Sequence, residues 1–129
     1  MNVRHYVIMR KDLQLEKISV GLFAAQVSHV ADNFLLETQR LGDPPANFAE
    51  EELEWAKTPV LVVLGVNTYE ELQDVKKRAQ DEGLPVRSWR DTIPSNLWED
   101  KFMDVEVGIS IGPIDTDKAK IVVGNLPTY

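Results

Sequence analysis

The chain has 129 residues, 43% hydrophobic and 27% charged, which is the usage of an ordinary folded domain and not of a disordered segment. It holds no cysteine and two histidines, which excludes a disulfide framework, a thiolate metal site and a histidine-rich zinc site. The net charge of −7 counts against non-specific nucleic-acid binding, which leans on a basic surface.

The first element read along the chain is a strand over Val3 to Met9, built from β-branched, aromatic and apolar residues. Arg4 and His5 stand at its start, with no apolar run long enough for a signal peptide. Arg10-Lys11-Asp12-Leu13 ends the strand in a polar turn. From Ile18 to Leu41 apolar residues recur at spacings of three and four, from Val20, Phe23, Ala24 and Val27 to Phe34 and Leu35. That is the inward face of an amphipathic helix, with Ser19 as its cap. The small residues in Gly21-Leu22-Phe23-Ala24-Ala25 predict close packing of its start on a sheet. Gln26 and His29 lie three apart on one face.

Gly42 to Asn47 reads as a loop, and Ala49 to Lys57 as a short acidic helix anchored by Leu53, Trp55 and Ala56. Val60 to Leu64 is a continuous apolar run, the pattern of a central strand buried on both faces. Thr68 with Glu71 forms a capping box for a helix to about Glu82, which Gly83 terminates. A short strand over Leu84 to Trp89 leads into Arg90-Asp91-Thr92-Ile93-Pro94-Ser95-Asn96. Val105, Val107, Ile109 and Ile111 alternate with Glu106, Gly108, Ser110 and Gly112, which predicts a strand with one apolar face. A short helix or turn over Asp115 to Ile121 and a strand or tail from Val122 to Tyr129 complete the chain. The sum is an α/β domain over residues 1–129, a mixed sheet of about four strands with helices on both faces.

These pieces together resemble the type II peptidyl-tRNA hydrolases, of archaeal and eukaryotic kind, over nearly the whole chain. That family opens with a strand ending in Arg-x-Asp-Leu, matched by Arg10 to Leu13. Its Gly-Lys-(apolar)-Ala-Ala-Gln-x-x-His helix start is matched from Gly21 to His29, except that Leu22 stands at the lysine. The interval from the Gly83-Leu84 step to the family's Asp-Ala-Gly-x-Thr-Gln loop lands on Asp91. There Thr92-Ile93 replace Ala-Gly, Ser95 replaces threonine and Asn96 replaces glutamine. Gly112-Pro113, Val122-Val123-Gly124-Asn125-Leu126 and Tyr129 match the family's close.

The resemblance implies hydrolysis of the ester joining a peptide to the 3′ ribose of tRNA, without metal or cofactor, in the cytoplasm and as a homodimer. It places Asp91 and Ser95 in catalysis and Gln26, His29 and Asn96 at the substrate. Lys17, or else Lys11, is the nearest substitute for the charge missing at Leu22. The alternative is an inactive relative that keeps the fold and binds a protein or small ligand as a dimer; the lost lysine and the acidic charge speak for it.

Overall fold

The computed structural model describes residues 1–41, 49–94 and 102–129, and of 34–41 and 49 the backbone only. Strand β1 (Val3–Arg10) passes through a single 3-10 turn at Lys11–Leu13 into a short helix α1 (Leu15–Ile18). Ser19 is extended, and its Oγ accepts from the Leu22 N–H at 3.3 Å, so the long helix α2 (Val20–Leu41) starts afresh beyond it. There follow α3 (Ala49–Lys57), β2 (Leu61–Val66), α4 (Tyr69–Asp81), β3 (Val86–Pro94), β4 (Phe102–Asp115) and α5 (Thr116–Val123). The predicted loop at Gly42 to Asn47 lies outside the described residues, as do Ser95 and Asn96.

The sheet has four strands in the order β2-β1-β4-β3, with β1 and β2 parallel and the other pairs antiparallel. Its two apolar layers use alternate residues of β1. Val7 and Met9 pack under α2 with Val30 and Ala31, while Tyr6 and Ile8 pack under α4 and α5 with Leu72, Val75 and Val122. Helices therefore cover both faces of a mixed α/β sheet, as the patterning requires.

Three expectations change. First, the apolar run at Val60 to Leu64 is not central. β2 is an edge strand, with Val60 42% and Leu61 43% exposed. Its later half is covered by the end of the chain: Gly65 N–H donates to the Pro127 carbonyl at 3.0 Å, and Tyr129 N–H to the Val63 carbonyl at 3.1 Å. A pairing across more than sixty positions hides the same apolar residues that a second neighbouring strand would have hidden.

Second, β4 does not carry one apolar face. The pairing steps from Trp89–Gly108 to Arg90–Glu106, a β-bulge that leaves Val107 without an opposite number. One extra residue reverses the sides, so Val105 and Val107 face α2 while Ile109 and Ile111 face α4. Gly108 belongs to this kink. A Cβ there would sit 2.7 Å from the Ile8 carbonyl oxygen and 2.9 Å from Met9 Sδ, so the backbone approach needs glycine.

Third, α3 is not anchored by Leu53, which is 68% exposed, nor by Ala56, which is also exposed. Its acidic residues hold it instead. Buried Glu51 accepts from Lys118 Nζ at 2.8 Å and from the Asp115 N–H, and Glu52 lies 3.8 Å from the buried Arg87 guanidinium. Trp55 does anchor, donating to the Val60 carbonyl at 2.9 Å and meeting the His5 ring edge-on at 5.6 Å.

Local signals elsewhere form as written. Thr68 Oγ1 accepts from the Glu71 N–H at 3.1 Å, and the Glu71 carboxylate reaches back one residue further, to the Asn67 N–H at 2.7 Å. Gly83 ends this helix region at φ +70°, a conformation that favours glycine. Lys76 is not merely solvated: it joins Gln73 and Ser88 around the buried Glu106 carboxylate. Burial pushes that carboxyl up, and the three donors more than offset it, holding it below the usual range.

His5 supplies a pH test. It is fully buried, and desolvation, with the Arg87 charge nearby, lowers its pKa from 6.5 to about 3. Between those values the unfolded chain takes up a proton that the folded chain refuses, so stability falls as pH drops through that window. Urea unfolding at pH 7 and pH 5 is expected to show a loss of about 2 kcal/mol in the native chain that His5→Leu lacks. Equal pH slopes in both proteins would assign the acid sensitivity elsewhere.

Candidate active site

β3 is the other edge of the sheet and, among the described residues, pairs only with β4. It runs on through Asp91 to Pro94, so Asp91 lies within a strand and not in the loop expected after Trp89. Alternation then puts Trp89, Asp91 and Ile93 on the α2 side and Arg90 on the other, where Arg90 Nε bonds Asp104 at 3.0 Å.

From α2, Gln26 comes down on Asp91. Its Nε2 donates to Asp91 Oδ2 at 3.1 Å, while Oδ1 accepts from the Thr92 N–H at 2.8 Å. The amide orientation follows from the partner, because a carboxylate accepts only and Gln26 must offer its NH₂. The Gln26 hydrogen bond is the chief reason the Asp91 carboxyl sits below the usual carboxylate range. The Thr92 N–H, the His29 charge and the nearby Trp89 indole add to it against desolvation. Gln26 is 4% exposed, and among the described residues its Oε1 finds no donor. An open acceptor thus stands beside a carboxylate that is ionised at neutral pH.

His29 is one turn further along. Its ring is exposed and stacks on Trp89, with centroids 5.1 Å apart and planes at 23°. The structure brings Gln26, His29 and Asp91 together on one patch. Trp89 completes the patch and went unread, because the strand was expected to stop there; a strand carried two residues further would have put Trp89 and Asp91 on one side.

The cations are placed differently. Arg10 is bound to Asp12 through Nε at 3.1 Å and Nη2 at 2.7 Å, and to the Glu106 carbonyl at 3.2 Å, so the turn spends its guanidinium on the fold. Lys11 lies along β2 with Nζ 5.7 Å from the Tyr129 ring centroid. Lys17, in α1, is exposed and forms no ion pair or hydrogen bond with Asp91. Leu22 is half-buried one turn before Gln26, against the apolar layer under α2. Gly21, Ala24 and Ala25 are exposed, so these small residues do not serve the close packing on the sheet that was expected of them. They leave the helix surface beside Gln26 low.

The family model for peptidyl-tRNA hydrolase PTH2 matches residues 3–129, from the first strand to the last residue. The chain belongs to the PTH2 family. A relative from Nanoarchaeum equitans (strain Kin4-M), named peptidyl-tRNA hydrolase, is 31% identical over 127 residues, covering 98% of this chain and 99% of its own. Membership in the PTH2 family gives the Gln26–Asp91 contact a setting. It joins the Ala-Ala-Gln helix start to the aspartate reached by the family interval, two motifs 65 residues apart.

Proposed function

We propose that this chain hydrolyses the ester between a peptide and the 3′ ribose of tRNA, with residues 1–129 acting as one hydrolase domain. The observation that carries the reading is the Gln26–Asp91 hydrogen bond at 3.1 Å, beside an open buried acceptor on Gln26. In this reading a water attacks the ester carbonyl carbon, the bond from that carbon to the ribose 3′ oxygen breaks, and the proton passes to the departing oxygen. The products are a free peptide and a tRNA with its 3′ hydroxyl.

Asp91 holds the attacking water. A carboxyl held below its usual pKa is a weak proton acceptor, so its main contribution is orientation and negative charge, with proton removal secondary. Gln26 keeps Asp91 ionised through Nε2 and offers Oε1 to a water or ribose hydroxyl. His29, on its Trp89 platform, adds a ring surface at the same patch. Ser95 and Asn96 follow β3 directly in sequence and supply a hydroxyl and an amide for the substrate carbonyl or ribose. Lys17 supplies the cation, because its exposed ammonium sits on a flexible four-carbon stem. Neither the family match nor the named relative favours the inactive alternative, for which the acidic charge and Leu22 spoke in the sequence.

The reading extends to a homodimer in the cytoplasm, where the absence of cysteine is no handicap. Among the described residues no helix is long and apolar enough to cross a membrane. Incubation of the purified chain with peptidyl-tRNA decides the activity. Peptide release above the spontaneous rate supports it, and none, with the fold intact, ends it.

A further inference from the structure

Gln26, His29 and Asn33 are three and four residues apart on α2, so they line one edge of the helix. Each meets β3. Gln26 bonds Asp91, His29 stacks on Trp89, and Asn33 Nδ2 donates to the Ser88 carbonyl at 2.8 Å. Rising helix numbers meet falling strand numbers, so the three contacts form a continuous seam. Asn33 closes it one residue before the bulge that separates Trp89 from Arg90 in the β4 register.

Among the described residues, α2 otherwise packs on the sheet through apolar side chains, Phe23, Val27, Val30 and Ala31. Such contacts are non-directional and tolerate small slides. A hydrogen bond to a backbone carbonyl does not, because it weakens steeply once length and angle depart from its narrow range. An α-helix transmits such an anchor. Gln26 stands two turns, about 10 Å, from Asn33 on the same rod. A slide released at Asn33 would therefore displace the Gln26 amide from Asp91 by about the same amount. We propose that Asn33 is a positioning residue, which sets the register of α2 on β3 so that Gln26 meets Asp91.

The state of Asp91 reports that register directly. Among the described residues the titratable group facing it is His29, from α2. On β4 its opposite number is Val105, and Arg90 is turned away to Asp104. The test is a carbon-13 NMR titration of the Asp91 carboxyl in the full chain and in Asn33→Ala and Asn33→Asp, with thermal melts to show folding. Asn33→Asp keeps the size and removes the donor. Both substitutions are expected to move the Asp91 midpoint upward, by about half a unit or more, as the Gln26 bond loosens.

A kinetic arm rests on the hydrolase reading. Asn33→Ala lowers kcat about tenfold with KM within about twofold, and the same change in a Gln26→Leu background lowers it less than about twofold, because the coupled contact is already gone. An unmoved Asp91 midpoint, an equal loss of kcat in both backgrounds, or failure of both variants to fold would each overturn the proposal. A moved midpoint in a chain that releases no peptide supports it and counts against the hydrolase reading alone.

Discussion

Asp91→Asn is expected to lower kcat for peptide release about 100- to 10,000-fold, the range in which a group positioned on the reacting water contributes. The substitution acts twice at one place. It removes the negative charge, and it replaces one of two acceptor oxygens by an NH₂. Native Oδ1 and Oδ2 serve Thr92 and Gln26 separately, so the Gln26 amide must flip and turn its open Oε1 onto the new NH₂, which uses up that acceptor. The fold should survive, because Asp91 lies on an edge strand and is only partly buried. The pH profile carries the same signature. The contribution of a carboxyl held below its usual pKa is present through neutral and mildly acidic pH, and disappears only as pH falls through that lowered value. Initial rates of the native chain and the variant, with thermal melts of each, read both effects. Retention of more than about a tenth of the native kcat would remove Asp91 from the reaction.

Leu22→Lys should raise kcat/KM for peptidyl-tRNA roughly 10- to 100-fold, or about 1.4 to 2.8 kcal/mol of barrier. Position 22 is four residues before Gln26, so a side chain there stands over the same edge of α2. It is half-buried, which lets a lysine lay its stem where leucine lies and carry its ammonium out toward Asp91. The charge would meet the oxygen that becomes negative as the ester carbonyl is attacked, where one donor accounts for a factor of hundreds in other acyl transfers. In the proposed reading the native chain draws that charge from Lys17, whose ammonium is exposed. Lys17→Ala is therefore expected to lower the native rate about tenfold, and to do little once Leu22→Lys is present. Identical rates for native chain, Leu22→Lys and Lys17→Ala would show that this site works without a lysine.

The features legible in the sequence are those decided within a few residues or by order along the chain. Ser19 and Thr68 cap the helices they precede, because a hydroxyl there meets an N–H with no other partner. The four strands among the described residues follow from local periodicity, as does the inner stripe of α2 over Phe23, Val27, Val30 and Ala31, whereas Val20 and Ala24, counted in that stripe, are exposed. The two residues that meet at 3.1 Å are named by order, Asp91 by its interval from Gly83-Leu84 and Gln26 by its place after Ala24-Ala25.

What only the tertiary structure decided are matters of partner and side. An apolar run such as Val60 to Leu64 reads the same whether a second strand or the chain's own end covers it, and here Pro127 to Tyr129 cover part of it. Strict alternation at Val105 to Ile111 predicts one face only while the ladder is regular. The extra residue at Val107 is visible in the pairing and not in the pattern. Acidic residues on α3 read as solvent-facing until Arg87 and Lys118, from distant elements, make their burial favourable. The site divides the same way. Order along the chain names Gln26 and Asp91, whereas the Trp89 platform and the Asn33 anchor exist only once β3 is carried to Pro94 and α2 is laid across it.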